Sequence, residues 1–305
     1  MTGNNRFHPG EKEMQKRAQV SEKAELISQR LVSDHMSTQH QDFFPLLSTL
    51  FVASVDDQCR PWASVLVGRP GFVHALDEKH LCINKVVPVF SDPLNENLKL
   101  KHPLGLLGLE FDTRRRNRLS GTLLSYQNNQ MQIEVTKAFG NCPKYIQSRR
   151  LKILGQINNI GQKKDVLRIT CFNNDVKQLI QRADTFFIAS YYSQDDHQGA
   201  DVSHRGGRPG FVNIDNDTTL SFDDFSGNSL YMTLGNLICN PIAGLLFIDF
   251  KSGDTLQLSC HSEIIETPDA KHARTIRLTL DYGWLIKSAL PIKWEFLEYS
   301  KFIDG

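Results

Sequence analysis

The sequence predicts a mainly β protein with flanking helices, built as two tandem β-barrels related by a pseudo-twofold axis. Three observations carry this expectation. A six-residue string recurs far along the chain. The spacing of that recurrence persists on both sides of it. Short apolar, β-rich runs follow one another between turn signals.

The string Gly68-Arg69-Pro70-Gly71-Phe72-Val73 returns as Gly207-Arg208-Pro209-Gly210-Phe211-Val212, 139 residues later. The same spacing carries Ser64 to Ser203, Leu81 to Leu220, Asn97-Leu98 to Asn236-Leu237, Gly105-Leu106-Leu107 to Gly244-Leu245-Leu246, and Leu119-Ser120 to Leu258-Ser259. Upstream, Phe51-Val52-Ala53-Ser54 matches Phe187-Ile188-Ala189-Ser190 at a spacing of 136, which predicts a three-residue insertion in the second copy. So long a period is not that of a solenoid, so each copy reads as a domain. A chain of 305 residues has room for two. The expected division is a helical segment over 1–42, one barrel over 43–157 and a second over 158–305. Two copies in one chain imply an internal analogue of a twofold dimer, which leaves room for further homodimerisation through the N-terminal helix.

In the first copy, strands are expected at Leu50–Ser54, Pro61–Val67, Phe72–Ala75, His80–Asn84, Leu106–Phe111, Ser120–Tyr126 and Met131–Val135. Pro70-Gly71 signals a type II turn, because proline presets φ at one central position and glycine allows a positive φ at the next. The second copy repeats the order at Thr185–Tyr191, Gly210–Ile214, Thr219–Phe222, Gly244–Phe250, Thr255–His261 and Thr275–Asp281. Helices are expected over Glu11–His35, where Val20, Ala24, Ile27 and Leu31 recur at helical spacing. Others are expected near Ser37–Leu47, Asn174–Ala183 and Lys144–Leu154. The polar stretch Gln156–Lys164 suits a linker.

Composition is globular, with 40% hydrophobic and 23% charged residues. The net charge of +1 gives no long-range pull on nucleic acid or an anionic membrane, so neither is an expected partner. The six cysteines are scattered, with no C-x-x-C pair, which speaks against a zinc ribbon and suits reduced thiols in a cytoplasm. No metal site is expected. No apolar run approaches the roughly 18 residues of a membrane span.

Several segments resemble the pyridoxamine 5′-phosphate oxidase-like superfamily of flavin mononucleotide (FMN)-binding split barrels. Val55-Asp56-Asp57-Gln58-Cys59-Arg60-Pro61 is similar to that family's turn between its first two strands, with Cys59 where glycine is usual. Asp224-Phe225-Ser226-Gly227-Asn228, followed by Leu234-Gly235-Asn236-Leu237 and Asn240-Pro241, resembles the family's polar phosphate-binding segment leading into a helix and an apolar strand. The resemblance covers roughly 40–140 and 183–265. It implies two tandem split barrels, and FMN as cofactor, with FAD, a deazaflavin, haem or none as alternatives within the superfamily. Leu290–Phe296 lacks the Arg/His pair that ends true pyridoxamine phosphate oxidases, so oxidation of vitamin B6 is not expected.

An FMN site needs donors for a phosphate dianion, a flat apolar slot and hydrogen bonds to the ring edge. The second copy offers Ser203, His204 and Arg205 on one strand, and Phe225, Ser226, Gly227 and Asn228 on a loop before a helix. The resemblance implies Gln257 near the flavin ring, and Trp62 is a candidate flank. The plainer reading makes the loop an N-cap, Arg205 a surface residue and Trp62 a core aromatic. The first copy has Val65 and Leu66 where the second has His204 and Arg205. One site per chain is therefore expected, with copy two holding phosphate and copy one forming a wall. Arg114, Arg115, Arg116 and Arg118 form a second candidate anion site, for a dinucleotide donor or a nucleic-acid backbone, or else a solvated basic turn. Cys142, with Lys144 nearby, suits either a low-pKa thiol or a buried small side chain.

Three functions stay open at this point. The first is an FMN-dependent oxidoreductase of unknown substrate, taking electrons from a reduced nicotinamide or a partner reductase. The second is a protein that binds or senses flavin or haem without turnover. The third is an interaction module without cofactor.

Overall fold

The computed structural model describes residues 6–140, 143–153, 159–194, 199–267 and 273–303. The expected helix over Glu11–His35 is two helices, α1 (Pro9–Arg17) and α2 (Ser21–Leu31). The break falls at Gln19, whose φ of 54° is left-handed and cannot continue a helix. A capping box starts α1: the Gly10 N–H donates to the His8 ring, and the His8 N–H donates to the Glu11 carboxylate at 3.0 Å. Helix α3 (Thr38–Phe43) and a 3-10 turn at Phe44–Leu46 fill the second expected helical stretch.

The first barrel holds β1 (Thr49–Val55), β2 (Pro61–Val67), β3 (Val73–Ala75), β4 (His80–Ile83), the short helix α4 (Leu94–Asn97), β5 (Pro103–Glu110), β6 (Arg115–Gln127) and β7 (Gln130–Gly140). Then come β8 (Ser148–Ile153), β9 (Val166–Ile169) and α5 (Asn174–Arg182). The second barrel holds β10 (Thr185–Tyr192), β11 (Gly199–Gly206), β12 (Val212–Ile214), β13 (Thr219–Asp223), α6 (Met232–Cys239), β14 (Ile242–Ile248), β15 (Thr255–Glu266) and β16 (Arg274–Ile286). The last strand is β17 (Ile292–Glu298).

The two large sheets have one topology. The first runs β2-β1-β5-β6-β7-β4-β3, and the second runs β11-β10-β14-β15-β16-β13-β12 with β9 added against β16. Thr49 pairs with Val67, and Thr185 pairs with Gly206, so the second hairpin is three residues longer, as the two spacings predict. The repeated Pro-Gly turn is present twice, with φ of 90° at Gly71 and 89° at Gly210. The Phe72 and Phe211 N–H groups close it onto the Arg69 and Arg208 carbonyls, each at 2.9 Å.

One expectation fails. Over its described residues, 144–153, the expected helix Lys144–Leu154 is absent; Ser148–Ile153 is β8, paired antiparallel with β17. Ile292 and Trp294 are buried at the start of β17 while Lys293 between them and Glu295 after them face water, a period of two that ends at the exposed Phe296. The expected boundary at 157/158, residues 156–158 of the expected linker, and Cys142 lie outside the described residues.

Strands β1, β2 and β10 are buried along their whole length. Alternation explains why. Leu50, Val52 and Leu66 face the first barrel's own core, while Phe51, Ala53, Val65 and Val67 face the other barrel. In the second copy, Phe186 and Ile188 point inward and Phe187 and Ala189 point to the seam. The pseudo-twofold axis passes between the matched residues Phe51 and Phe187, whose rings stack 3.6 Å apart at 15°. Burying each such ring stabilises the seam by about 1.5–3 kcal/mol. Matched glycines let the backbones close. A Cβ on Gly105 would lie 2.7 Å from the Ala200 carbonyl oxygen, and one on Gly244 would press closer still on the Pro61 carbonyl.

Candidate functional site: an arginine cradle at the seam

The pseudo-twofold brings β6 of the first barrel to β11 of the second. Side chains from both meet in a cavity of about 80 Å³ lined by Arg116, Arg118, Ser203, Arg205, the loop from Asp224 to Ser229, and the first turn of α6. Two groups that read as separate sites in the sequence are thus one. Arg116 and Arg118 enter from the arginine run of copy one; Ser203 and Arg205 enter from copy two. Copy one is therefore not a wall here but a donor of two cations.

Strand geometry selects these residues. Asp201, Ser203 and Arg205 alternate on β11 and share a face. An Arg205 terminal nitrogen donates to Ser203 Oγ at 3.0 Å. Arg118 pairs with Asp201, which also accepts from Thr233 Oγ1 at 3.0 Å. The Nε groups of Arg118 and Arg205 are buried with no hydrogen-bond partner. Burial works against the charge on Arg118, and so do the neighbouring Arg116 and Arg205 guanidiniums. Burial also lowers the Arg205 pKa, against the pull of Asp224. Asp224 is itself bridged by Arg274 at 3.4 Å. Arg118 is buried, Arg116 and Arg205 are half-buried, and Asp201, Asp224 and Glu11 are the carboxylates that act on them, with Asp224 shared with Arg274. Buried guanidinium Nε groups with unmade hydrogen bonds are costly, and a bound dianion supplies the missing acceptors.

The other predicted residues fall elsewhere. His204 lies on the opposite face of β11, edge-on to Phe187 at 5.7 Å in the seam. Burial, then Arg116, Arg205 and Arg149, push its pKa well down, which keeps the ring neutral. Phe225, Gly227 and Asn228 line the cradle. Ser226 instead turns its carbonyl outward to accept from the Tyr145 hydroxyl at 3.3 Å. Arg114 donates to the Ile146 carbonyl at 3.0 Å and bridges Glu298, and Arg115 bridges Glu110 at 3.3 Å, so both leave the cradle.

Gln257 and Trp62 belong to the pseudo-equivalent groove in the other half. Gln257 is the repeat counterpart of Arg118. Its amide donates across the seam to the Ala63 carbonyl at 2.8 Å, to Ser64 Oγ at 3.3 Å and to Asp92 at 3.1 Å. Asp92 is fully enclosed; it accepts from Ser64 Oγ at 2.6 Å and the Leu94 N–H at 2.8 Å, and burial pushes its carboxyl up to about 6. Beyond it opens a cavity of about 900 Å³ walled by Trp62, Tyr282 and Trp284. Sequence reasoning missed Asp92, Tyr282 and Trp284. The repeat held the signal, since Ser64 matches Ser203 and so marks a second groove.

In the cradle's own half, the space matching that cavity is filled. Helix α1 packs on α6, with Gly10 against the Gly235 carbonyl, and a Cβ on Gly235 would stand 2.6 Å from the Glu11 nitrogen. The His8 ring stacks on Tyr192 at 4.1 Å and 16°. The donor set suits the phosphate of FMN: guanidiniums, a hydroxyl and a helix start. The cavity does not suit the flavin ring, because 80 Å³ lies far below the roughly 300–1,000 Å³ of small-molecule sites.

No helix among the described residues is long and apolar enough to cross a membrane. No family model matches the chain. No curated protein matches it either. Solved structures similar to it include a candidate pyridoxamine 5′-phosphate oxidase of Lactobacillus delbrueckii, 12% identical over 37% of this chain and 93% of that one, with a TM-score of 0.30. The haem storage protein HutZ of Vibrio cholerae is 14% identical over 37% of this chain and 92% of its own, with a TM-score of 0.27. A FAD-binding protein of Mesorhizobium loti is 10% identical over 40% and 97%, also with a TM-score of 0.27. Each of these alignments covers about 37–40% of this chain.

Proposed function

We propose that this chain binds a phosphorylated small ligand of the FMN class, gripped by its phosphate at the seam between the barrels. The observation that carries this reading is the convergence of Arg116, Arg118 and Arg205 on one small cavity, with buried Nε donors of Arg118 and Arg205 unmet. In it, Arg118 and Arg205 hold the phosphate oxygens, Ser203 adds a hydroxyl, and the start of α6 adds backbone N–H groups. FAD, a deazaflavin and haem are the comparison ligands, and a cytoplasmic location goes with the reading.

Titration calorimetry with FMN, riboflavin and inorganic phosphate tests it. FMN and phosphate are expected to compete, and riboflavin is expected to bind more weakly than FMN. Arg205→Ala is expected to weaken FMN by about 1.5–3 kcal/mol, the range for hydrogen bonds to charged groups. An unchanged FMN affinity in that variant would remove the cradle from the proposal.

The oxidoreductase reading is a further step. Binding FMN whole already requires α1 to yield the space beside α6 to the ring, and the oxidoreductase reading adds turnover to that. The flavin would then supply hydride or electron transfer, while the chain binds and orients it. Oxidation of NADH or NADPH under air by FMN-loaded protein, absent in Arg205→Ala, is the expected result if this step holds.

A further inference from the structure

We infer that the open groove of the first half is a second ligand site, for a planar heteroaromatic ligand that carries no phosphate and is uncharged or cationic. This site is distinct from the cradle and does not rest on the FMN reading.

Size and walls come first. The cavity holds about 900 Å³, enough for a multi-ring ligand. Its accessible aromatic wall is Tyr282 and Trp284 of the second barrel, with Trp62 of the first barrel buried beside them. Trp62 stands 5.5 Å from Tyr282, and Tyr282 stands 6.1 Å from Trp284. These rings are held in place. The Trp62 indole N–H donates to Asp56 at 3.2 Å, and Asp56 also binds Arg60 at 2.7 Å. The Arg60 guanidinium lies over the Tyr282 ring at 4.9 Å. A preset aromatic wall loses little entropy when a flat ligand packs on it.

Charge sets the class. Arg60 is taken by Asp56, and Lys99 is taken by Asp57 at 2.5 Å. Glu96 and Asp92 remain on the wall against Arg168, whose guanidinium lies over the Tyr282 and Trp284 rings at 5.4 and 6.0 Å, so the excess is still negative. The matched positions agree. Where the cradle has Arg118 and Arg205 around Ser203, this groove has Gln257 and Leu66 around Ser64. The hydroxyl is kept and both cations are gone. A phosphate here would meet carboxylates in place of guanidiniums, whereas an uncharged ring or a pyridinium-type cation meets aromatic faces and acceptors.

The test uses the full chain, with lumichrome as the uncharged probe, 1-methylnicotinamide as the cationic probe and FMN as the phosphorylated control. Quenching of tryptophan fluorescence and calorimetry both read binding. Saturable binding of at least one phosphate-free probe is expected. It should fall at least tenfold in Trp284→Ala and stay unchanged in Arg205→Ala. In the Arg205→Ala background, which disables the cradle, FMN should bind at least tenfold more weakly than lumichrome. Glu96→Lys, an exposed change on the rim, should narrow that gap and weaken 1-methylnicotinamide. It serves the same purpose if Trp284→Ala does not fold. The inference is overturned if neither phosphate-free probe saturates, if their binding follows Arg205 and not the aromatic wall, or if Glu96→Lys leaves the selectivity untouched. Loss of FMN binding in Arg205→Ala alone speaks only to the cradle.

Discussion

The two halves of this chain share a topology and differ in their grooves. The first half keeps its space and has no cradle. Its groove is wide, aromatic and faintly acidic, and its floor is a buried carboxyl. The second half keeps a cradle and has lost its space. Its arginines meet around a cavity the size of a phosphate, and α1 lies where the first half is open. The difference shows how little of a groove the fold itself dictates. The strand order and the close glycine contacts are the same in both, while the helix after the loop is one turn in the first half (α4) and two in the second (α6). Asn97 donates to Ser54 and Asn236 donates to Ser190, each at 3.0 Å, so even the tie between helix and first strand is conserved between the copies. What differs is side chains at matched positions, and which segment from outside the barrel covers the opening.

The largest expected effect concerns what the halves share. Gly105→Ala and Gly244→Ala each drive a methyl into the opposing backbone, and each is expected to cost about 3 kcal/mol, with Gly244 the worse of the two. Urea unfolding reads this directly. Two variants as stable as the parent would mean that the seam is looser than the matched contacts imply, and the symmetry of the comparison would break.

A smaller effect separates the halves. Asp92 in the first groove stands where the second has Tyr231. Its folded pKa of about 6 lies above the ordinary carboxylate value, so the folded state takes up a proton more readily than the unfolded chain. The resulting stability is complete below pH about 4 and is lost as pH rises through about 6. The full effect amounts to about 3 kcal/mol, roughly half of it between pH 5 and pH 7.5. Unfolding midpoints at pH 5 and pH 7.5 should show this gain in the parent and not in Asp92→Asn. Equal pH slopes would place Asp92 in wetter surroundings than its contacts indicate.

The smallest concerns the hairpin between β1 and β2. Cys59 has a φ of 59°, a conformation that glycine adopts at no steric cost. Cys59→Gly is therefore expected to stabilise the chain by about 0.5–1 kcal/mol, since relief of the strained backbone outweighs the added freedom of the unfolded state. A thermal melt measures it, and a destabilised variant would point to packing by the exposed thiol instead.

Much of this was legible in the sequence, for physical reasons. The spacing of 139 residues forces one topology on both copies, because matched apolar alternation and matched turns have the same local solution twice. The Cys59 position was visible as a departure from glycine. Strand β8 was not legible, because its partner β17 lies far along the chain and nothing local signals a two-residue period in Ser148–Ile153. The cradle was half legible. Ser203, Arg205 and the 225–228 loop stood out by residue type, and so did the arginine run, but they read as two sites. Their union follows from the pseudo-twofold, which crosses β6 of one copy with β11 of the other. Since Gln257 matches Arg118, placing Gln257 beside Ser64 already places Arg118 beside Ser203. His204 was misread because adjacent residues on a strand face opposite ways.

The fusion of the two barrels has a consequence for inheritance. In a dimer of identical chains, one codon writes both grooves, so any change to one is a change to the other. Here Phe51 and Phe187 hold together two surfaces encoded at separate positions. A substitution at Arg118 leaves Gln257 as it was. One groove can be shut by a helix while its twin stays open, and selection can act on either alone.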